Sequence, residues 1–323
     1  MNEFELIERF FARPARSSSV HLGAGDDAAL LAPHPNCELV VSVDMLVAGR
    51  HFLPDADPEA LGHKTLAVNL SDIAAMGALP RWALLAGALP QSDEAWLAAF
   101  ARGFFTLADR CRVELVGGDT TRGPLNLCVT IIGEVPVGRA LLRSGAKPGD
   151  DIYVTGCLGG AALGLAALQG RTQLIADELE HCRRRLDRPR PRVGVGLALR
   201  DVASAALDVS DGLTGDLGHI LERSHVGAVV DIGAIPRSPV LDAKLAGAER
   251  ALALACLLAG GDDYELCFTA SPRQRDAIDA IAQHERCRLS RIGKIVEGTK
   301  LEVRDEQGHA IAVPAAYDHF ASA

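Results

Sequence analysis

Apolar residues recur along the first 138 residues with two spacings, one typical of helices and the other typical of strands. The helical spacing predicts helices over residues 3–12, 58–76 and 92–110. Short apolar runs between turn residues predict strands over residues 38–44, 82–89, 113–119 and 125–135. Because strands and helices are mixed along this half of the chain, the pattern favours an α/β or α+β domain.

A segment with basic, glycine and proline residues, "RALLRSGAKPG" at 139–149, interrupts this pattern. We therefore predict two domains, over residues 1–138 and 149–323. In the second half, "DIYVTG" predicts a strand, and the glycine-rich turn "GCLGG" leads into an Ala- and Leu-rich helix. There follow the basic segment "RRRLDRPRPR", the stretch "AALDVSDGL" with a helix on either side, the strand "GAVVDI" and an apolar helix near 248–259. This half also fits an α/β domain.

Asp72 carries the charge in an otherwise apolar stretch, "AVNLSDIAAMG", inside the predicted helix over 58–76. That helix begins with a capping residue, Asp57, followed by Pro58 at the first helical position. Asp72 shares its helix face with Val68 and Asn69, so its carboxylate is expected to point toward the protein. A buried carboxylate needs a partner, a metal ion or a proton.

Further aspartates recur in short turns beside glycine or an apolar strand, where a side chain can be delivered to a cleft. They are Asp26, Asp27, Asp44, Asp119, Asp208, Asp211, Asp262 and Asp263. Aspartate is also a good turn and helix-capping residue, and that alternative stays open for each turn taken alone. If several of these carboxylates meet, their repulsion requires cations. Oxygen ligands without His or Cys favour Mg²⁺ first, then Ca²⁺ or Mn²⁺.

The amino-acid composition argues against two classes of binding partner, nucleic acids and membranes. The formal net charge of −9 disfavours nonspecific binding to nucleic acid. The apolar run "ALALACLLAGG" is too short to span a bilayer, and the acidic N-terminal residues are unlike a signal peptide. The eight cysteines include no CxxC pair, which indicates reduced thiols in a cytoplasmic protein. We expect neither a membrane nor a nucleic-acid partner.

The common phosphate-binding and nucleophile motifs are absent from the sequence. There is no GxxxxGK[ST] loop, no HRD or DFG motif and no G-x-S-x-G elbow. "GVGLAL" at 194–199 lacks the third glycine of a dinucleotide-binding turn. The residues therefore indicate metal-dependent chemistry on phosphates with an unusual nucleotide site.

Several motifs together resemble the thiamine-monophosphate kinase family, in order from about residue 20 to about residue 320. They are "GAGDDAAL", "SVDMLVAGRHF", "KTLAVNLSDIAAMGALP", "GGDTTRGP", "RSGAKPGD", "DVSDGLTGDLGHI", "GGDDYELCFT" and "YDHF". The family belongs to the aminoimidazole ribonucleotide synthetase-like superfamily. The resemblance implies a two-domain PurM-like α/β fold and a homodimer in which the N-terminal sheets of two subunits pair.

The resemblance also implies a reaction. The γ-phosphoryl group of ATP is transferred directly to thiamine monophosphate, giving thiamine diphosphate and ADP in the last step of thiamine diphosphate biosynthesis. Because donor and acceptor are both phosphates, several Mg²⁺ ions would offset their repulsion and hold the attack in line. The acceptor phosphate is ionised at neutral pH, so neither a covalent nucleophile nor a dedicated general base is implied.

Functional residues follow from the resemblance, position by position. The implied metal ligands are Asp27, Ser42, Val43, Asp44, Asp72, Asp119, Asp208 and Asp211. The implied ATP-binding residues are Gly118, Asp119, Arg143 and Ser210, and the implied substrate-binding residues are His51, Asp262 and Tyr317. Val43 replaces a frequent Thr, so that only its backbone carbonyl could bind metal. Asp262 replaces a frequent Glu and is one methylene shorter.

Other interpretations remain open at this stage. Asp26 and Asp263 could only brace their turns, and "GCLGG" could be a packing turn or a phosphate site at a helix N-terminus. Selenophosphate synthetase and the hydrogenase-maturation dehydratase are alternative members of the superfamily. The first needs a reactive Cys in a glycine-rich N-terminal segment, and the second ends in Cys, whereas this chain ends "YDHFASA". A nucleotide-binding or metal-storage protein without turnover is the alternative outside enzymes.

Overall fold

The computed structural model describes residues 2–314 and separates into two compact units. Among these residues, unit 1 consists of residues 2–73 and Ala78–Ala140, and unit 2 consists of Ala74–Gly77 and residues 141–314. Each unit has its own sheets and core. Within the described residues, no helix is both long enough and apolar enough to cross a bilayer.

Unit 1 is built on a four-stranded sheet. Its helices are α1 (Glu3–Phe10), α2 (Pro58–Ala75) and α3 (Glu94–Cys111). Its strands are β1 (Val20–Leu22), β2 (Leu30–Leu31), β3 (Cys37–Val47), β4 (Leu79–Leu89), β5 (Glu114–Arg122) and β6 (Asn126–Pro136). The sheet has the order β3–β6–β4–β5, with β4 and β5 parallel and the other pairs antiparallel. The three helices and four long strands predicted from the sequence are confirmed, with ends shifted by up to a few residues.

Local capping explains where the two long helices of unit 1 begin. The Asp57 carboxylate accepts a hydrogen bond from the Ala60 N–H at 2.8 Å, which confirms the predicted cap of α2. Asp93 caps α3 through the N–H groups of Ala95 and Trp96. Aromatic rings of α3 then stack along its buried side, with Trp96 and Phe100 centroids 5.2 Å apart.

Unit 2 contains a seven-stranded sheet with the order β13–β12–β9–β11–β7–β10–β8. Its strands are β7 (Asp151–Thr155), β8 (Ala205–Val209), β9 (Gly227–Asp231), β10 (Glu265–Ala270), β11 (Leu289–Val296), β12 (Leu301–Arg304) and β13 (Ala310–Ile311). Its helices are α4 (Gly160–Leu168), α5 (Ala176–Asp187), α6 (Val193–Ala198), α7 (Leu213–Ser224), α8 (Pro239–Ala246), α9 (Arg250–Ala259) and α10 (Arg275–His284).

The structure adds elements that the sequence patterns do not predict. The strand predicted from "DIYVTG" is confirmed as β7. Every residue of β8 and β10 is buried, so these two strands lack the alternation that identifies a half-exposed strand. In particular, β8 forms inside "AALDVSDGL", where no strand is predicted. The predicted helix near 248–259 is α9, and α8 precedes it as a separate helix.

Candidate active site

The strand β3 lies at the edge of the four-stranded sheet, and its polar side chains contact those of helix α2. Ser42 donates a hydrogen bond from its Oγ to Oδ2 of Asp72. Asn69 accepts a hydrogen bond from the Asp44 backbone N–H at 3.2 Å and donates to the Thr65 carbonyl at 3.0 Å. Asn69 therefore fixes the β3 backbone at Asp44 instead of bracing Asp72. Three of the predicted metal ligands, Ser42, Asp44 and Asp72, are brought into one region.

Val43 points away from that region. Side chains alternate along a strand, and Val43 is 58% exposed on the opposite face of β3 from Ser42 and Asp44, which are half-buried. Its side chain also lacks a donor atom for a metal. Any contribution of Val43 to a metal site is therefore limited to its backbone.

Beside the sheet of unit 1 lies a cavity of about 740 Å³ with a mixed lining. Its polar lining includes Asp26, Asp27, Gly118 and Asp119. Its apolar lining includes Phe4 and Ile7 of α1, Phe11 at the end of that helix, and Trp96 and Phe100 of α3. Asp26 accepts the Asp27 N–H at 2.8 Å, and so it braces the turn that carries Asp27.

Gly118 brings the backbone of β5 into contact with that of β4. Its φ is +152°, and a Cβ at this position would overlap the carbonyl oxygen of Leu85 on the neighbouring strand. Any larger residue would push the two strands apart beside Asp119. This close approach gives the physical reason for glycine at the predicted ATP-binding position.

The sheet register shows how the acids of unit 1 are spaced. Asp44 on β3 is level with Gly118 on β5, across β6 and β4. Three inter-strand spacings separate them, roughly 14 Å. Cys128 of β6 lies between and lines the cavity. Burial, and secondarily the nearby Asp44 carboxylate, raise the pKa of its thiol. Cys128 is level with Met45 of β3, so its side chain lies on the face of Met45 and Val43 and not on the face of Asp44. Asp119 lies on β5, two strands farther along the sheet from Cys128.

The donor chemistry suits magnesium, although the acids are not preassembled. Within residues 2–314, no group of three or more His, Cys, Asp or Glu side chains is close enough to hold a metal ion alone. The predicted ligands offer only oxygen donors, which is the chemistry that Mg²⁺ prefers. Magnesium commonly takes one or two carboxylates and completes its shell with water and substrate phosphate. The residues therefore fit magnesium ions that arrive with a phosphate substrate.

The remaining predicted acids belong to unit 2, at the end of β8. Asp208 is buried in the strand, at 6% exposure, and Ser210 and Asp211 form the turn that follows it. Asp216 of α7 accepts the N–H groups of Ser210 at 3.1 Å and Asp211 at 3.0 Å. Burial raises the pKa of Asp216 to about 7. Asp216 thus orders the turn, a role that the sequence motif does not identify.

The loop that carries Asp262 packs directly on this turn. The Asp262 N–H donates to the Ser210 carbonyl at 2.9 Å, and the Tyr264 N–H donates to the Val209 carbonyl at 2.8 Å. Asp262 and Tyr264 have φ values of 68° and 49°, in the left-handed region that residues other than glycine rarely adopt. Two backbone hydrogen bonds hold the loop in this strained form, a feature common at functional sites.

Asp263 joins the same loop to the glycine-rich turn "GCLGG". Its Oδ2 accepts the Gly159 N–H at 2.8 Å. Burial raises the pKa of the Asp263 carboxyl well above its usual range, and the charge of Glu265 adds to this effect. The Gly159 N–H already donates to Asp263 and so does not face a phosphate. This contact favours the interpretation of "GCLGG" as a packing turn and disfavours its interpretation as a phosphate site.

The Asp263→Asn variant is expected to gain stability relative to the wild type as the pH rises. The folded-state pKa lies above the unfolded value of about 3.9, so ionisation disfavours folding from about pH 4 upward until the folded pKa is passed. Asparagine can accept the same hydrogen bond and does not titrate. Urea unfolding of both proteins between about pH 4.5 and pH 8 measures this difference. A difference that stays constant with pH would contradict a protonated Asp263.

A buried ion pair lies beneath this loop at Glu265, the first residue of β10. Its carboxylate is 2% exposed and accepts hydrogen bonds from Arg192 Nε at 2.6 Å, Arg192 Nη2 at 2.5 Å and Thr155 Oγ1 at 2.5 Å. Arg185 lies 3.5 Å away. Sequence reasoning missed this cluster. The available indications were an acid at the start of the apolar run "ELCFT" and the basic segment that contains Arg185 and Arg192.

Arg143 lies at the other end of β8 from Ser210. The Leu142 carbonyl accepts the N–H of Ala206, the second residue of β8. Four residue steps of roughly 3.3 Å each, or about 13 Å, separate Ala206 from Ser210 along the strand. The structure therefore does not bring the backbones of Arg143 and Ser210 together, and the two residues would contact different parts of a nucleotide.

His51 is held in a defined orientation by the turn that follows β3. Its backbone N–H donates to the Val47 carbonyl at 3.0 Å, and its ring Nδ1 accepts the Val47 N–H at 3.0 Å. A ring nitrogen that accepts a hydrogen bond is unprotonated, so a neutral ring carries its proton on Nε2. His51 therefore offers a donor at Nε2. Tyr317, the third predicted substrate-binding residue, lies outside the described residues.

Comparison with protein families places both halves of the chain. Residues 25–135 match the family "AIR synthase related protein, N-terminal domain". Residues 147–306 match the family "AIR synthase related protein, C-terminal domain". The two matches together cover most of the chain.

Individual proteins give a finer comparison. The chain is 49% identical to the thiamine-monophosphate kinase of Escherichia coli K12, over 99% of this chain and 98% of that protein. It is 50% identical to a crystal structure of thiamine-monophosphate kinase from Stenotrophomonas maltophilia, with a TM-score of 0.87 over 96% of this chain and 98% of that one. A structure of AaThiL complexed with AMPPCP and TMP is 29% identical, with a TM-score of 0.78 over 90% and 89% of the two chains.

Proposed function

This chain belongs to the thiamine-monophosphate kinase family of the AIR synthase related proteins, and from that premise we propose how its residues perform the reaction. It is a kinase with the two-domain fold of that family. ATP is the co-substrate, and thiamine monophosphate is the acceptor. The products are thiamine diphosphate and ADP, as in the last step of thiamine diphosphate biosynthesis.

One observation supports direct transfer between two phosphates most strongly. The turn that carries the ATP-binding candidate Ser210 is hydrogen-bonded through its backbone to the loop that carries the acceptor-binding candidate Asp262, at 2.9 Å. The two predicted binding elements therefore share one rigid support in unit 2. Such a support lowers the entropic cost of bringing donor and acceptor into line.

We assign ATP contacts to Gly118, Asp119, Arg143 and Ser210. The guanidinium of Arg143 has the planar fork of donors that suits phosphate oxygens. Gly118 lets β5 pack closely on β4, and so it sets the position of Asp119 beside the cavity of unit 1. The apolar residues that line that cavity would give a bound substrate a water-poor surface, and Asp26, Asp27 and Asp119 in the same lining would attract cations.

We assign the acceptor to His51, Asp262 and Tyr317. The Asp262 carboxylate suits the cationic thiazolium ring or the aminopyrimidine edge of thiamine monophosphate. His51 presents an N–H donor at Nε2, because its Nδ1 accepts the Val47 N–H. The Tyr317 ring would stack on an aromatic ring of thiamine.

Oxygen ligands of the chain would hold several Mg²⁺ ions. They are Asp27, Ser42, the Val43 backbone, Asp44, Asp72, Asp119, Asp208 and Asp211. Bound magnesium supplies charge neutralisation for phosphate groups that would otherwise repel one another. The chain's own contribution is to present the carboxylates on fixed elements, as Ser42 does for Asp72 and Asn69 does for the Asp44 backbone.

The transfer itself then needs no covalent intermediate on the protein. The acceptor phosphate oxygen attacks the γ-phosphorus of ATP in line, and the bond to the ADP oxygen breaks. The acceptor is already ionised near neutral pH, so the protein holds and orients it without removing a proton. Arg143 stabilises phosphate charge at a fixed position.

Competing acceptors test this assignment. The purified chain with Mg²⁺ and ATP is expected to release ADP when thiamine monophosphate is added. It should release little ADP with selenide, with a carbamoyl peptide or with no acceptor. Chromatographic separation of ADP measures each rate. ADP release that depends on another acceptor would overturn the proposal, and tight ATP binding without turnover would favour a binding protein.

We also propose that the protein is a homodimer that pairs the sheets of unit 1. The exposed face of β3 carries Leu39, Val41, Val43 and Met45, which are between 51% and 59% exposed. Because β3 is an edge strand, its apolar face is available to a second copy of the chain. The family resemblance implies a dimer contact through the same sheet, which supports the proposal.

Substitution of Val41 by Lys is expected to dissociate this dimer, because it places a charge in the middle of the apolar face. Analytical ultracentrifugation should give twice the chain mass for the wild type and the mass of one chain for Val41→Lys. Lysine at exposed Ile175 of unit 2 is a matched control that should leave the dimer intact. A wild-type monomer, or a Val41→Lys dimer, would contradict the proposal.

We place the reaction in the cytoplasm, in agreement with the cysteine usage of the sequence. All eight cysteines lie within the described residues and are free thiols, a condition typical of reducing compartments. ATP is the co-substrate, which is consistent with such a compartment.

A further inference from the structure

Arg143 is an exposed cation on a segment without regular secondary structure. Residues 142–149 form no helix or strand between the end of β6 and the start of β7. Within residues 2–314, its guanidinium makes no hydrogen bond and no ion pair. An arginine on an irregular segment has many conformations, so a phosphate contact would need a fixed backbone.

Ser224 supplies that fixed backbone through one hydroxyl group. Its Oγ accepts the N–H groups of Gly145 at 3.1 Å and Ala146 at 3.2 Å, and donates to the Arg143 carbonyl at 3.3 Å. A serine hydroxyl has one hydrogen and two lone pairs. These three bonds therefore use its full capacity on a single four-residue segment.

The neighbouring contacts hold the two sides of this segment but not Arg143 itself. On one side, the Leu142 carbonyl accepts the Ala206 N–H at 2.9 Å. On the other side, Asp150 accepts the Lys147 N–H at 3.0 Å and the Ser204 hydroxyl at 2.6 Å. Between them, Ser224 is the side chain that orders the backbone from Arg143 to Ala146.

Ser224 is also the last residue of α7, whose first turn orders the Ser210–Asp211 turn through Asp216. A twelve-residue helix is about 18 Å long and stiff. One rigid helix thus connects the turn at Ser210 with the segment of Arg143. The helix therefore fixes the distance between the backbones of Ser210 and Arg143, the two residues that would contact different parts of ATP.

We propose that Ser224 is a positioning residue that orders the Arg143 segment for binding ATP phosphates. The proposal rests on the proposed function for the role of Arg143, and on the hydrogen bonds of Ser224 for its own role. Without the hydroxyl, ATP must order the segment when it binds, and affinity for ATP falls. The acceptor is bound by other residues, so its affinity should not change.

The test is a double-mutant cycle between Ser224 and Arg143. We expect Ser224→Ala to raise the KM and the Kd for ATP by about five- to tenfold, with KM for thiamine monophosphate within about twofold of the wild type. Ser224→Thr retains the hydroxyl and should restore most of the affinity. In the Arg143→Ala background, adding Ser224→Ala should weaken ATP binding by less than about twofold, because the group it positions is gone.

The control separates positioning from loss of stability. Ser238→Ala removes the cap of α8, where Ser238 accepts the Leu241 N–H at 3.3 Å, and should leave both KM values unchanged. Equal rises in both KM values for Ser224→Ala, or full additivity with Arg143→Ala, would overturn the proposal. The Kd for ATP is measured by calorimetry with a non-hydrolysable analogue. If the wild type makes no thiamine diphosphate, only the proposed function is overturned, and the role of Ser224 is still tested by the Kd for ATP.

Discussion

Asp72→Asn is expected to lower kcat by about 100-fold to 1,000-fold, with little change in stability. The substitution keeps the shape of the side chain and can still accept the hydrogen bond from Ser42. It removes the negative charge that we assign to magnesium binding beside the transferred phosphoryl group. We also expect the variant to need a higher magnesium concentration for half-maximal activity. Steady-state kinetics at several magnesium concentrations measure both effects, and thermal unfolding measures the stability.

The matched control is Glu59→Gln on the same helix. Glu59 lies in the first turn of α2 and pairs with Arg102 at the surface, at 3.0 Å. Loss of a surface ion pair changes stability by less than about 1 kcal/mol, and this one is remote from the predicted ligands. Its kcat and magnesium dependence should match those of the wild type. Wild-type kinetics from Asp72→Asn would show that Asp72 does not bind metal, and equal losses in both variants would indicate a general effect of charge.

Glu265→Ala is expected to produce the largest loss of stability, about 3–5 kcal/mol in the free energy of unfolding. The substitution leaves Arg192 buried without the carboxylate that accepts its two hydrogen bonds. It also leaves the hydroxyl of Thr155 without its acceptor. Because Glu265 follows the loop of Asp262 and Asp263 directly, the affinity for thiamine monophosphate should fall as well. Urea unfolding measures the first effect, and KM for the acceptor measures the second.

A surface pair provides the comparison. Glu302 pairs with Arg304 at 2.6 Å, but both side chains are more than 40% exposed. Glu302→Ala should therefore cost less than about 1 kcal/mol. A similar loss for the two variants would contradict the claim that burial makes the Glu265 pair decisive. A replacement of both Glu265 and Arg192 by Met should recover part of the stability, since no buried charge is then left unpaired.

Local sequence patterns predict the elements of unit 1 well, because these elements have buried and exposed sides and clear start and stop residues. In α2, an aspartate cap, Pro58 and a glycine stop mark the two ends, and the structure confirms them. In unit 2 the central strands are buried on both faces, so periodicity is lost. The sequence "AALDVSDGL" does not predict the strand β8, because its apolar run is short and is followed by the acidic residues of a turn.

The candidate site shows the same limit. The sequence indicates the acids of the turns, since each stands beside glycine or an apolar run. It does not indicate which side chains hold those turns in place. Asp263, Glu265 and Ser224 act through contacts with distant segments; Arg192 and Glu265, for example, are 73 positions apart. Asp216 acts over a short distance in sequence, but its side chain faces the turn only once the turn and α7 have formed. Such contacts depend on how the chain folds, which local spacing does not determine.

The role of Asp72 is more specific in the structure than in the sequence. From the sequence it is a charge on an apolar helix face with Asn69 as a possible support. In the structure its partner is Ser42 on β3, and Asn69 supports the backbone of Asp44 instead. The helix α2 therefore contacts two predicted ligands of β3 separately: Asp72 accepts a hydrogen bond from Ser42, and Asn69 accepts one from the Asp44 backbone.

Isotope tracing of the transferred group tests the central claim most directly. ATP labelled with ¹⁸O in its γ-phosphoryl group is incubated with the protein, Mg²⁺ and thiamine monophosphate, and the products are analysed by mass spectrometry. We predict one thiamine diphosphate for each ADP, with the label in its terminal phosphoryl group. Labelled inorganic phosphate with no labelled thiamine diphosphate would contradict direct transfer from ATP to thiamine monophosphate.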